Sequence, residues 1–394
     1  MAENKTVKQI IGKTFMEIAD AIQTGQFGTK IKIGLTTLGS EHGTENLVKG
    51  AEQAAKNAAF DILLIGPKVD TQLETVEVNN EEEMHKKMEE LLDSGTIQGC
   101  VTMHYNFPIG VSTVGKVITP GMGREMLLAT TTGTASAHRV EAMVKNALYG
   151  IITAKAMGIK EPTVGILNLD GARQVERALK ELHNNGYPIH FSESVRSDGG
   201  AVMRGNDLLA GTVDVMVTDT LTGNIMMKVF SSYTTGGSYE AMGYGYGPGV
   251  GEDYDRIILI LSRASGVPVV ANAIQYAAKL AQGKLTEIVK SEFTKAKAAK
   301  LEDILKSFTK ETKKVKTEEE EVTAPPREVV TGSISGIDIM DLEDAVKALW
   351  KEGIYAESGM GCTGPIVLVH EEKIHIATEI LGKAGFVAKE GEIC

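Results

Sequence analysis

Apolar residues recur at two different periods along the chain, and the two periods alternate. Over 5–23, Val7, Ile10, Ile11, Phe15, Ile18, Ala19 and Ile22 fall at helical spacing and predict an amphipathic opening helix. Short apolar runs at 31–38, 60–66, 99–105, 163–169, 188–194, 213–219 and 255–261 then read as strands. Amphipathic stretches at 44–58, 81–95, 138–158, 171–186, 223–233 and 269–282 read as helices. The stretch before His138 reads as irregular. The run Gly243-Tyr244-Gly245-Tyr246-Gly247-Pro248-Gly249-Val250-Gly251 is too glycine-rich for a regular element and suits a flexible lid. Continuous apolar strands alternating with helices predict an α/β fold, a mostly parallel sheet with helices on both faces. Such sheets bind ligands outside the carboxyl ends of their strands.

The pattern breaks near 290. Residues 294–328 carry a lysine-rich run, the four glutamates Glu318 to Glu321 and Pro325-Pro326, which predicts a solvated linker, helical at most in part. Beyond it, a helix at 341–353, a strand at 365–370 and a helix at 373–385 form a small α/β module. The expected organisation is an N-terminal helix (1–29), an α/β domain (30–290), a charged linker (291–330) and a C-terminal module (331–394).

Composition narrows the function classes. The chain has 394 residues, 43 of them glycine and 10 proline, which favours tight turns and phosphate-style loops over rigid linkers. A net charge of −11 gives no general attraction to nucleic acid or anionic lipid. No apolar stretch approaches the ~18 residues of a membrane span, and the polar N-terminal residues do not resemble a signal peptide, so a cytoplasmic protein is expected. The 3 cysteines form no CxxC and no disulfide framework. His370 and His375 are five apart, so one helix face cannot offer both to zinc, and no metal is expected.

Three loops carry the candidate chemistry. Gly39-Ser40-Glu41-His42-Gly43-Thr44 follows the first strand and opens a helix, as an anion site or as an ordinary turn capped by Thr44 or Ser40. Thr130 to Arg139 offers hydroxyls, including those of Thr132 and Ser136, with His138 and Arg139 at a helix start. That set suits phosphate, which wants N–H and O–H donors and a fixed cation, or it is a helix start capped by Ser136. Asp219 to Asn224 places Thr222 and Asn224 at another helix start with Lys228 a turn on, although Asn224 can equally be a cap. The three loops are expected to converge at the carboxyl edge of one sheet. Among the cysteines, Cys100 lies in an apolar strand and reads as a buried small hydrophobe. Cys362 lies in Glu357-Ser358-Gly359-Met360-Gly361-Cys362-Thr363-Gly364-Pro365, where a glycine-rich loop can expose the sulfur and turn N–H groups toward it, or merely tolerate a cysteine in a tight turn.

From about 30 to 290 the chain resembles the phosphate acyltransferases of fatty-acid and phospholipid synthesis. The motifs are Gly39-Ser40-Glu41-His42-Gly43, Val164-Gly165-Ile166-Leu167-Asn168, Arg204 to Leu209 followed by Val213 to Asp219, and Thr222 to Lys228. Where that family reads Asp-Gly-Phe-Thr-Gly-Asn, this chain has Asp219-Thr220-Leu221-Thr222-Gly223-Asn224. The whole chain, including the Gly-Met-Gly-Cys-Thr-Gly-Pro tail, resembles the component C alpha subunits of glycine/sarcosine/betaine reductase complexes. That resemblance implies an acetyl thioester on Cys362, attacked by inorganic phosphate to give acetyl phosphate. It implies a selenoprotein A as acetyl donor, a component C beta subunit as partner in a hetero-oligomer, and no cofactor in this chain. Ser40, His42, Thr132, Ser136, His138, Arg139, Thr222, Asn224 and Lys228 are the expected phosphate or acetyl contacts. The module 331–394 is then expected to dock over the sheet's carboxyl edge, in its own or a neighbouring subunit. Two rival classes stay open: a free-standing phosphate acyltransferase using acyl carrier protein, and a non-catalytic scaffold subunit.

Overall fold

The computed structural model describes residues 30–56, 58–195, 200–314, 322–337, 341–361 and 364–387, with isolated positions at 12, 14, 15, 18 and 19. The opening helix expected over 5–23 therefore lies largely outside the described residues, as do Cys362 and Cys394.

The fold is α/β. A twelve-stranded sheet runs in the order β3-β2-β1-β4-β12-β11-β5-β6-β10-β7-β8, with β9 paired to β7. Its first half holds β1 (Lys32–Thr36), β2 (Asp61–Gly66), β3 (Glu74–Glu77), β4 (Gly99–Thr102) and β12 (Ile258–Ile260), all parallel. Its second half holds β6 (Glu125–Thr134), β7 (Thr163–Leu167), β8 (His190–Phe191), β9 (Val202–Met203) and β10 (Val215–Val217), also parallel to one another. Between the halves lie β5 (Val111–Ile118) and β11 (Gly247–Val250).

Alternate side chains feed opposite faces of this sheet, the period-2 rule of an extended backbone. Ile33, Leu35, Ile62, Leu64, Leu127, Val215 and Val217 enter one core. Their neighbours Leu63 and Ile65, or Leu128 and Met216, enter cores on the other side. Helices α1 (Thr44–Ala55), α3 (Arg139–Ala156), α4 (Ala172–Asn184) and α7 (Val267–Gln282) supply the first core. Helices α2 (Glu81–Asp93), α5 (Gly205–Ala210) and α6 (Thr220–Ser232) supply the second side. Burial on both faces is why the strands read as apolar runs.

The stretch expected to be irregular contains the β5–β6 antiparallel hairpin, with a bulge between Ser112 and Val114. Its strand β6 ends in Thr130-Thr131-Thr132-Gly133-Thr134, so these residues form a strand end where a loop was expected. The expected lid is also corrected: Gly247–Val250 is a buried central strand. Glycine is required there by close packing. A Cβ on Gly247 would stand 1.8 Å from the Val114 carbonyl, and one on Gly249 would stand 2.3 Å from the Phe107 ring.

The charged stretch expected to be a linker from 291 is, over much of its length, packed helix. Helices α8 (Leu285–Ala298) and α9 (Leu301–Lys314) bury Val289, Phe293, Ala296, Leu301 and Ile304 in the first core. Lysines at every few positions masked that stripe by composition. The C-terminal module is a three-stranded antiparallel sheet, β13 (Gly332–Ser335), β14 (Ala356–Gly361) and β15 (Gly364–Val369), in the order β13-β15-β14. Helices α10 (Leu342–Lys351) and α11 (Ile374–Lys383) cover it with a core of its own. Asp341 accepts from Arg177 (3.0 Å) and Gln174 (3.3 Å) of α4, and the Gly385 carbonyl accepts from Arg177 at 3.4 Å. The module was expected over the sheet's carboxyl edge, in its own or a neighbouring subunit; within the chain these contacts hold it against the first turns of α4, in the second half.

Candidate anion and acyl-transfer site

Strand direction decides which predicted residues can meet. Going from β12 to β6 the chain direction reverses three times, at β12–β11, β11–β5 and β5–β6. The carboxyl ends of the two parallel halves therefore point to opposite edges of the sheet. The loop after β1 is at one edge, and the segments after β6 and β10 are at the other. The nine expected contacts do not converge; they form two groups.

The second-half group is tightly joined within itself. Thr132 N–H donates to Thr113 Oγ1 at 2.9 Å, Asn224 Nδ2 donates to the Thr131 carbonyl at 3.0 Å, and Thr220 Oγ1 donates to the Gly133 carbonyl at 3.1 Å. Asp219, not Asn224, caps α6, accepting from the Thr222 N–H at 2.7 Å. His138, not Ser136, caps α3 through Nδ1, while the Ser136 hydroxyl accepts from the His138 N–H at 3.2 Å. The His138 ring stacks on Phe308, with centroids 6.0 Å apart. Arg139 is committed to carboxylates, 2.6 Å from Asp219 and 3.4 Å from Asp170. Burial pushes the Asp219 carboxyl up, but the Thr222 N–H and the Arg139 guanidinium outweigh it and hold the group below the ordinary carboxylate range. A cation already neutralised twice is a poor phosphate ligand.

The first-half group is different. Ser40 and His42 sit in the turn into α1, where Gly43 is the N-cap and no side chain caps the helix. The Ser40 hydroxyl accepts from the His42 N–H at 3.1 Å, and Thr44 donates its hydroxyl to the Thr37 carbonyl at 2.9 Å. The exposed His42 ring has Nε2 3.3 Å from the Ala264 carbonyl and meets Tyr239 edge-on at 6.0 Å. The Glu41 N–H donates to the Arg263 carbonyl at 2.9 Å, and Asn46 Nδ2 donates to the Ser265 carbonyl at 3.0 Å. Helix α7 opens beside α1 after Gly266, also without a side-chain cap, but Pro268 in its first turn has no N–H and the Val269 N–H is spent on the Gly266 carbonyl at 3.1 Å. Gly50 permits the contact of the two helices; a Cβ there would stand 2.5 Å from Val270.

Lys228 lies on α6 yet belongs to this first-half edge. The helix returns antiparallel to its strand and carries the lysine across, to 5.7 Å from the Tyr246 ring centroid and into the field of Glu240. Neither Lys228 nor the exposed Arg263 has a carboxylate ion pair among the described residues. The uncapped N–H groups of α1, two cations without a carboxylate partner, a histidine and the hydroxyls of Ser40 and Ser262 suit a doubly charged oxyanion. Sequence reading missed Arg263, Ser262, Ser265 and Glu240. A serine-rich turn, Leu261-Ser262-Arg263-Ala264-Ser265-Gly266, between an apolar strand and a helix was the available signal.

Residues 31–368 match the family of fatty acid synthesis proteins. The chain belongs to that family. Among its relatives, the glycine/sarcosine/betaine reductase complex component C subunit alpha of Peptoclostridium acidaminophilum is 75% identical over 97% of this chain and 99% of that protein. A phosphate acyltransferase of Thermotoga petrophila is 26% identical over 50% of this chain and 67% of that protein. A branched-chain phosphotransacylase structure from Enterococcus faecalis V583 covers 64% of this chain at 17% identity, with a TM-score of 0.45. Cys362, the one expected covalent residue, lies outside the described residues. Cys100 is fully buried, and burial pushes its thiol far above the ordinary range, so it is inert.

Proposed function

We propose that the chain transfers an acetyl group from a thioester on Cys362 to inorganic phosphate, as the alpha subunit of component C in a glycine, sarcosine or betaine reductase complex. What supports the reading most is the first-half edge, where Lys228 and Arg263 have no carboxylate partner among the described residues and the N-terminus of α1 has no side-chain cap. A phosphate oxygen attacks the thioester carbonyl, the C–O bond forms, and the C–S bond breaks. The electron pair of that bond leaves on Cys362 sulfur, and the proton of the phosphate ends on that sulfur. The intermediate oxyanion needs preorganised N–H donors; the stretch 357–365 expected to be a glycine-rich loop is largely the paired ends of β14 and β15, with Gly361 opposite Gly364. The cations hold phosphate in place, a positioning task; since the module rests on α4 of the second half of its own chain, the thioester meets this edge in a neighbouring subunit. The chain's own residues perform this transfer without a redox cofactor, and the reaction belongs in the cytoplasm.

The acetyl unit comes from a selenoprotein A, and the chain works beside a component C beta subunit. Helix α6 is the surface we assign to that subunit. Its residues Leu221, Ile225 and Val229, spaced by four, are 71%, 51% and 46% exposed, while Gly223, Met227 and Phe230 on the opposite side are buried. A helix apolar on both sides is one that expects a second cover. No helix among the described residues is long and apolar enough to cross a membrane.

The test is mass spectrometry of the protein after incubation with acetyl phosphate. One acetylated cysteine peptide, containing Cys362 and lost in Cys362→Ala, is expected. Acetyl-phosphate turnover undiminished in Cys362→Ala would instead support a phosphate acyltransferase acting on acyl carrier protein. No turnover by the intact protein under any condition would support a scaffold subunit.

A further inference from the structure

Glu240 is the residue that the site's chemistry has not yet used. It is 3% exposed, and no lysine or arginine pairs with it among the described residues. Its Oε1 accepts from the Tyr246 hydroxyl at 3.4 Å and its Oε2 from the Ser265 hydroxyl at 3.1 Å, with Ser262 as a further hydrogen-bonding neighbour. Its backbone is stitched to the same turn. The Glu240 N–H donates to the Ala264 carbonyl at 2.9 Å, and the Gly266 N–H donates to the Glu240 carbonyl at 2.8 Å. Glu240 thus underlies the 262–266 turn on which Arg263 stands and against which His42 rests.

A carboxylate only accepts hydrogen bonds, so while Glu240 is ionised its hydroxyl neighbours spend their protons on it and turn lone pairs elsewhere. Lone pairs and a buried negative charge are both unfavourable beside an incoming phosphate. A protonated Glu240 removes the charge and releases a hydroxyl donor toward the anion. We propose that Glu240 is a positioning residue for the anion site, setting the hydroxyls of Ser262, Ser265 and Tyr246 and taking up a proton when phosphate binds. This rests on the reading that the first-half edge binds phosphate. Burial already pushes this carboxyl above its ordinary range, with Ser262, Ser265, Lys228 and Tyr246 offsetting part of that rise. The titratable or charged groups that act on it are Tyr246 beside it and Lys228 on α6, while Arg263 stands on the same turn and His42 rests against that turn's Ala264 carbonyl.

The measurement is calorimetric titration of the intact protein with inorganic sulfate, a dianion that does not itself titrate near neutrality, in two buffers of different ionisation heat. Proton uptake is expected in the natural protein, with sulfate affinity falling by up to about tenfold per pH unit above the carboxyl's range. Glu240→Gln keeps shape and hydrogen bonds but cannot titrate; it is expected to bind sulfate without proton uptake and with a flat pH profile. His42→Asn is expected to bind more weakly yet keep the uptake. Uptake that persists in Glu240→Gln, or that vanishes in His42→Asn, overturns the assignment to Glu240. The site reading is tested separately by Lys228→Ala/Arg263→Ala, which should lose sulfate and phosphate binding. If that double variant binds as before, the edge is not the anion site, and both ideas fall.

Discussion

Arg139 Nη2 stands 2.6 Å from Asp219 Oδ2, and the same carboxylate caps α6 by accepting from the Thr222 N–H. One acidic side chain therefore ties the start of α3 to the start of α6. Asp219→Ala is expected to cost about 1–2 kcal/mol of stability at neutral pH, the range for a lost cap. The folded carboxyl is held below its ordinary value, so its stabilisation is present above the unfolded value near ~3.9 and is lost as pH falls through the folded one. Denaturant unfolding of both proteins should show the gap at pH 7 and a smaller gap below about pH 4. An equal gap at both would mean that the charge contributes nothing.

The same contact separates two arginines that look alike in sequence. Arg139 is bound to Asp219 and Asp170, whereas Arg263 has no carboxylate partner among the described residues. Arg263→Ala and Lys228→Ala are each expected to raise the phosphate KM about tenfold, roughly 1.4 kcal/mol. Arg139→Ala should move it by less than about twofold. Steady-state acetyl-phosphate formation across a phosphate series gives the answer, and a larger effect at Arg139 would return the site to the second-half edge.

The parallel halves were legible because strands such as Asp61–Gly66 are apolar on both faces and their helices carry clean stripes. The centre of the sheet was not. Its strand β11 is Gly247-Pro248-Gly249-Val250, whose glycines are demanded by the Val114 carbonyl and the Phe107 ring, both distant in sequence. Missing that strand and the β5–β6 hairpin hid the three reversals, so loops from opposite edges were placed together. His138 was misread for a related reason: Ser136 is the commoner cap type, but the backbone turns two residues later. Lys228 was legible as a candidate cation, but its neighbours were not: Tyr246 comes from the segment expected to be a lid, and Glu240 from the stretch just before it, which carried no motif.

Gly223 marks where the α6 backbone meets β6. A Cβ there would stand 1.7 Å from the Thr130 carbonyl and 2.7 Å from Thr218 Oγ1. Backbone cannot swing aside as a side chain can, so Gly223→Ala is expected to lose more than about 3 kcal/mol, beyond ordinary overpacking. Thermal unfolding should show a marked drop or no soluble protein. Gly205→Ala, with nothing within 4 Å of the added carbon, serves as the tolerated control.

The exposed stripe of α6 gives the remaining prediction. Ile225 is 51% exposed and lies opposite the buried Met227 and Phe230, so a lysine there points into solvent in the isolated chain. Surface changes of that kind usually alter stability by less than about 0.5 kcal/mol. In a contact with a partner subunit the same lysine buries an unpaired charge, which is costly. Ile225→Lys is therefore expected to leave the unfolding temperature and the sulfate affinity unchanged, while weakening association with the partner subunit by about a hundredfold, some 2.7 kcal/mol. Leu221→Lys, at 71% exposure and one turn away, should act in the same direction. Sedimentation of the chain mixed with the beta subunit reads this out. Undiminished association by both variants would show that α6 faces water in the complex, and that its apolar stripe has another cover.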